Sequence, residues 1–249
     1  MSSSTFNGFL RQRELLLNAS SYEEAKANFQ WPSPGEFNWA VDYFDKYLAE
    51  TATNPALIYI NDELFKTGDS RVFSYPELRA RSNKLANALT ELGIGRGDVV
   101  MVMLNNRPEL FDSFLALMKM GAVISPATTL LLPTDIEDRA ARAHFKAVIA
   151  DPEVVSRIDQ IRDRLEKLGV KYFITIGKPG PGWLDYYELT SGKSENFQGV
   201  KTRTDELLLI YFTSGTTAKP KMVMHTHASY PIGHLTTMYW VGAKRGIGT

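Results

Sequence analysis

Between Tyr211 and His227 the chain reads YFTSGTTAKPKMVMHTH. Thr213, Ser214, Gly215, Thr216 and Thr217 stand in a row and lead through Ala218 to Lys219, Pro220 and Lys221. A loop that binds phosphate needs inward-pointing backbone N–H groups, small side chains for close approach, hydroxyl donors and a cation. This stretch carries each of them, with Gly215 contributing unrestricted backbone angles. The Walker arrangement, two glycines at fixed spacing and then Lys and Ser or Thr opening a helix, is absent. Pro220 removes a backbone donor, and MVMHTH alternates as a strand does, with Met222 and Met224 on one face and Val223 and His225 on the other. The expected context is therefore strand, loop, strand. A hydroxyl-rich hairpin turn is the ordinary alternative, and for such a loop taken alone it is the commoner one.

A ligand loop needs a rigid frame behind it. ELLLIYF, residues 206–212, is a continuous apolar run that reads as a buried strand leading directly into Thr213. VVMVML at 99–104, AVIS at 122–125, KAVIA at 146–150 and KYFITI at 171–176 read the same way. Between them, helical spacing is expected over 108–120 with Gly121 as the stop, over 134–143, and over 154–168 with Gly169 as the stop. Strands without alternation, separated by amphipathic helices, predict an α/β fold with a parallel-rich sheet flanked by helices on both faces. Ligands of such sheets sit beyond the carboxyl ends of the strands, which is where Thr213 falls.

Upstream, residues 1–36 predict a helical lead-in closed by the WPSPG joint, and 37–249 the main domain. Phe37, Val41, Phe44 and Leu48 recur at helical spacing, and ALIYIN reads as a strand. Ser74, Tyr75, Pro76 and Glu77 have the form of a capping box with proline in the first turn. They predict a helix to Gly93 with Leu78, Leu85, Leu89 and Leu92 facing inward. Residues 178–204 lose the alternation and predict a surface excursion between two strands.

Composition narrows the function. With 28 basic and 28 acidic residues in 249, no global field draws the chain to nucleic acid or an anionic membrane. The absence of cysteine excludes disulfides, thiolate zinc sites and a cysteine nucleophile, and agrees with a cytoplasmic location. No stretch has the uninterrupted apolar length of a membrane span. His225 and His227 fall on one strand face, but with no cysteine and no evident third ligand they are expected to be solvated or hydrogen-bonded imidazoles, and no metal site is assigned. Tyr186 and Tyr187 are expected to pack rather than to stack on bases.

The string YFTSGTTAKPK resembles the signature of the adenylate-forming superfamily, the acyl-CoA synthetases and their relatives, at every position but one. The stretch from FSYPELRARSNKLANALTELG through MKMGAVISPATT is similar to the amino-terminal part of the large domain of these enzymes. Met222 after the Pro-Lys pair, together with ATTLLLP, resembles the branch that activates acetic and medium-chain acids. The resemblance implies that Thr213, Ser214, Gly215, Thr216, Thr217, Ala218 and Lys221 hold the phosphates of ATP. It further implies Mg²⁺ and coenzyme A as cofactors and a small carboxylic acid as substrate. The family's catalytic lysine and its magnesium-holding glutamate find no match before Thr249, so the catalytic residues are unassigned. The 249-residue piece is expected not to turn over alone, and an unpaired sheet edge is expected to make it marginally stable or to pair it with a second copy. Ala218 stands where the family has glycine, which costs about 1 kcal/mol if that position needs positive φ. The alternative reading is a non-catalytic nucleotide-binding or interaction module that keeps the fold.

Overall fold

In the computed structural model, residues 4–177, 180–213 and 219–242 are described, and they fall into two compact units. The larger unit, the described residues of Leu78–Gly199 and Leu208–Met224, is built on parallel strands. Its strands are β3 (Val99–Met103), β4 (Val123–Pro126), β5 (Phe145–Ala150), β6 (Tyr172–Thr175), β7 (Leu184–Asp185), β8 (Leu207–Thr213) and β9 (Lys221–Thr226). They form one sheet in the order β7-β6-β5-β3-β4-β8-β9. β3 pairs in parallel with both β4 and β5, β4 with β8, β5 with β6, and β6 with β7. The expected α/β fold is thus the one observed. Residues 100–103 of β3 and 147–150 of β5 are buried without exception, which is why these runs show no alternation.

The crossovers are helices whose ends are written locally. Helix α6 (Pro108–Met120) begins with proline at a position that needs no N–H. It ends where Gly121, at φ 68°, lets its own N–H reach Met118 O and that of Ala122 reach Leu117 O. Helix α5 (Tyr75–Glu91) starts as expected, with the Glu77 N–H donating to Ser74 Oγ at 3.3 Å, and buries Leu78, Leu85 and Leu89. Helix α7 (Pro133–Ala143) passes through His144, at φ 54°, directly into β5.

Two expectations need correction. The helix read over 154–168 is two helices, α8 (Pro152–Asp159) and α9 (Arg162–Lys167). The break frees Arg162 to lie 4.2 Å from the Phe173 ring centroid while it donates to Asp159 and to the Gly182 carbonyl. The expected surface excursion contains β7 and helix α10 (Tyr186–Thr190), and it is pinned by buried aromatics. Trp183 packs edge-on against Phe173 and donates its indole N–H to Asp159, and Tyr186 is buried with it.

The other unit comprises the described residues of Met1–Glu77, Val200–Leu207 and His225–Thr249. Helices α1 (Ser4–Asn18), α2 (Tyr22–Asn28) and α11 (His234–Trp240) bring Phe9, Leu16, Ala25 and Leu235 into one cluster with Phe37 and Tyr43. Helix α3 (Trp39–Leu48) is π-wound and continues as the single turn Ala49–Thr51. Its wider pitch rotates the buried face: Phe44 is inside as expected, but Ala40 and Tyr43 replace Val41 and Leu48 as its buried companions. A short antiparallel pair, β1 (Leu57–Tyr59) and β2 (Arg71–Phe73), with α4 (Asp62–Thr67) between, accounts for the ALIYIN run.

Within the larger unit Lys119 is fully buried, and its ammonium donates to Ser82 Oγ at 2.7 Å and Asn83 Oδ1 at 2.8 Å. The Asn83 amide in turn donates to Glu195 O at 2.8 Å. One side chain therefore satisfies a buried cation on one side and a loop carbonyl on the other. Asn83→Ala is expected to lower unfolding free energy by about 1–3 kcal/mol, the cost of stranding buried polar partners, as measured by urea denaturation.

Candidate functional site

Because β3, β4, β5 and β8 run parallel, their carboxyl ends emerge along one edge, and Thr213 lies there, exposed, as the last residue of β8. The loops leaving β3, β4 and β5 are laced together at that edge. Thr129 Oγ donates to Asn105 Oδ1 at 3.1 Å, and the Asn105 N–H donates to Asp151 Oδ2 at 2.5 Å. Arg107 then bridges outward, donating to Asp151 at 2.5 Å and to Glu109 at 2.8 Å.

On α6 this line meets a second set of buried charges. Arg81 grips Asp112 through Nε and Nη2, the shortest contact being 2.6 Å, and reaches Glu109 at 3.4 Å. The Tyr186 hydroxyl donates to Asp112 at 3.1 Å and that of Tyr187 to Glu109 at 2.9 Å. The two tyrosines do pack, edge to face at 5.5 Å, and each also holds a carboxylate. Burial pushes Asp112 up to about 6, against the opposing pull of Arg81 and Tyr186. For Glu109 burial acts in the same direction, but the hydrogen bonds from Arg107 and Tyr187 outweigh it and hold the carboxyl below its ordinary value.

On the β4 and β8 side, helix α7 supplies the charges. The guanidinium carbons of Arg139 and Arg142 lie 5.0 and 5.1 Å from the centroid of the Phe212 ring, one residue before Thr213. Arg142 Nη1 donates to Pro220 O at 2.8 Å and to Asp138 at 3.2 Å, and Lys219 Nζ donates to Asp138 at 2.6 Å. Both flanks of the Thr213–Lys221 stretch therefore rest on one helix. The hydrogen bond from Lys219 is the main reason that Asp138 titrates below the usual carboxylate range.

The two strands of the expected strand, loop, strand context are present as β8 and β9. Of the residues expected to hold phosphate, Thr213 ends β8 and Lys221, also exposed, opens β9. Ser214, Gly215, Thr216, Thr217 and Ala218 lie outside the described residues. Sequence reasoning placed a helix over 134–143 but singled out none of Asp138, Arg139 and Arg142, of which Asp138 lies 81 positions before Lys219. A weak signal existed: two arginines and an aspartate within five positions on one helix. Of the histidines, His227 is buried, and His225 and His234 meet the Tyr230 ring at 5.8 and 4.5 Å. Among the described residues no group of three or more acidic or imidazole side chains converges as metal ligands do, and no helix is long and apolar enough to cross a membrane.

Comparison with known proteins bears on the family and the fold. The family model described as "AMP-binding enzyme" matches residues 44–246. The mouse mitochondrial acyl-coenzyme A synthetase ACSM3 is 35% identical over 87% of this chain. The 4-hydroxybutyrate–CoA ligase 1 of Metallosphaera sedula is 34% identical over 84%. This chain spans only 37% and 35% of those two proteins. Among solved structures, an anthranilate CoA ligase in complex with anthranoyl-AMP is 25% identical, with a TM-score of 0.71 over 80% of this chain and 36% of its own. Acetoacetyl-CoA synthetase from Streptomyces lividans shares the fold, with a TM-score of 0.73 at 22% identity over 84% of this chain and 33% of its own.

The buried carboxylates give a pH signature. Asp112 moves from an unfolded value near 3.8 to about 6, so it contributes stability that is fully present below the unfolded value and lost as pH rises through the folded one. Glu109, held low, contributes in the opposite sense, above its unfolded value. Asp112→Asn is expected to be less stable at every pH, because Arg81 loses the carboxylate it grips through two nitrogens, and to lose less stability than the parent between pH 4 and pH 6. Urea midpoints at the two pH values check this, and an unchanged difference would contradict the assignment.

Proposed function

The chain belongs to the AMP-binding enzyme family, and on that premise we propose that it is the amino-terminal part of an ATP-dependent acid:CoA ligase. Residues 37–249 would form the first portion of the nucleotide-binding domain and residues 1–36 a helical lead-in. The acid is proposed to be acetic or medium-chain, a reading supported by Met222 and the ATTLLLP stretch, while the similarity to ACSM3 supports the coarser reading of an acyl-coenzyme A synthetase. The observation that carries the proposal is the match over 44–246 together with the position of Thr213 and Lys221 at the carboxyl edge of a parallel sheet.

In this reading an oxygen of the acid's carboxylate attacks the α-phosphorus of ATP, the bond to the pyrophosphate oxygen breaks, and an acyl-adenylate forms. The thiol of coenzyme A then attacks the acyl carbon and AMP leaves. Negative charge moves onto the departing pyrophosphate in the first step, so donors fixed in advance at the β- and γ-phosphates favour it. We assign that work to Thr213, Ser214, Gly215, Thr216, Thr217 and Ala218, through hydroxyl and backbone N–H groups, with Lys221 supplying charge. Mg²⁺ would neutralise the same phosphates when bound. The described residues offer no carboxylate cluster for it. Positioning of the reactants contributes roughly 7–11 kcal/mol in well-oriented reactions. We assign the adenosine and acyl contacts that supply it to the remaining length of the enzyme.

The test is acid-dependent ATP–pyrophosphate exchange by the longest form of the protein across short, medium-chain and aromatic acids. Exchange with acetate or a medium-chain acid is expected. Nucleotide binding without exchange for any acid would favour the non-catalytic module. Lys221→Ala is expected to lower kcat/KM for ATP by the equivalent of about 1.5–3 kcal/mol, the value of a hydrogen bond to a charged group, without changing the thermal midpoint. Unchanged kinetics would remove Lys221 from the site.

A further inference from the structure

Lys219 and Asp138 come from different elements and meet at 2.6 Å on the surface. The lysine side chain is 75% exposed and the aspartate 22%. The ammonium is thus tethered at its tip, with its stem in solvent, and ion pairs of this kind are weak enough to be exchanged for another partner. Arg142 is held differently. Its guanidinium bonds to Pro220 O, bonds to Asp138 and stacks on Phe212. It fixes the backbone on the carboxyl side of Lys219 and the carboxylate that Lys219 grips, and both can stay in place if Lys219 swings away.

The charge balance points the same way. Arg139, Arg142 and Lys219 surround Asp138, with Asp135 acting on Arg139 as the next nearest carboxylate. No hydrogen-bond partner reaches the buried Nε of Arg139 among the described residues. The cluster therefore carries more cations than carboxylates before any ligand arrives, and the carboxylate keeps those cations from repelling one another.

We infer that Asp138 is a resting counter-ion that competes with the phosphates of the nucleotide for Lys219, and that Arg142 is the positioning residue that keeps Asp138 and Pro220 in place while Lys219 changes partners. The inference rests on the reading of this edge as the nucleotide site. Removing Asp138 would then improve phosphate binding, which is the reverse of what loss of a merely structural ion pair would do. It would do so through Lys219 and not through a general change in field.

Binding of magnesium-ATP by the full chain, measured by isothermal titration, separates these cases. Asp138→Asn is expected to tighten binding about two- to five-fold, the range set by the strength of an exposed ion pair. The same substitution in a Lys219→Ala background is expected to give no gain. Asp138→Ala, at a partly buried helical position where alanine is a good helix former, provides a second variant if the first is poorly folded. Arg142→Ala is expected to weaken binding, with partial rescue by Arg142→Lys, at an unchanged thermal midpoint. An equal gain with and without Lys219 would reduce Asp138 to a field effect and overturn the exchange, as would weaker binding in Asp138→Asn. Failure of the parent chain to bind magnesium-ATP would overturn the nucleotide reading and this inference together. Binding without a Lys219-dependent gain would overturn the inference alone.

Discussion

Strand β3 has no solvated face, and the larger unit is organised around that fact. Its backbone groups are satisfied by β4 on one side and β5 on the other, both parallel, so each must be reached by a crossover that returns to the starting edge of the sheet. Helices α6 and α7 are those crossovers, and they also help to cover the sheet's faces. The same topology gathers the carboxyl ends of β3, β4, β5 and β8 on one edge. The chain steps from β3 to β4 on one side and then to β5 on the other, so β3 marks the point where the strand order reverses, and the loops around it are the ones bonded through Thr129, Asn105 and Asp151. The hydrogen-bonding needs of a buried strand thus bring Asn105, Asp151 and Thr213 to one edge.

What could be read from the sequence follows from which interactions are local. The buried strands declare themselves as unbroken apolar runs, and α6 is bounded by Pro108 and Gly121, residues whose backbone restrictions act without tertiary help. The break between α8 and α9 is different. Neither Gly nor Pro lies at the break, and it exists because Arg162 gains the Phe173 and Trp183 rings and the Gly182 carbonyl. The expected surface excursion was misread for a related reason: polar composition suggested exposure, while Trp183 and Tyr186 were the residues that decided burial. The candidate stretch Thr213–Lys221 stands out by residue type, since hydroxyls, a glycine and lysines are what an anion requires. Its support on α7 does not, because Asp138 and Arg142 are ordinary helix-surface residues until the fold brings β8 beside them.

The buried network around Arg81 is costly in isolation. Removing carboxylates and guanidinium groups from water is repaid only when geometry and additional hydrogen bonds satisfy every charge, and here Arg81 binds Asp112 through two nitrogens while two tyrosines complete the carboxylates. Such a network adds little net stability relative to a well-packed apolar one. It does fix the register of α5, α6 and α10 relative to one another, because a shift of any of them would leave a charge buried without its partner.

The two charged groups at the carboxyl edge differ in sign, and the difference gives the edge a direction. On the β3 and β5 side, Arg81 and Arg107 face Glu109, Asp112 and Asp151, so carboxylates outnumber cations. On the β4 and β8 side, Arg139, Arg142 and Lys219 face Asp135 and Asp138, with Lys221 at the start of β9, so cations outnumber carboxylates. The electrostatic potential along this edge therefore rises toward β8 and falls toward α6, so the energy of an anion is lower on the β8 side. The net positive flank is the one where Thr213 and Lys221 stand. That direction is set by side chains on and beside α6 and α7, which the crossovers of the parallel sheet bring to the edge.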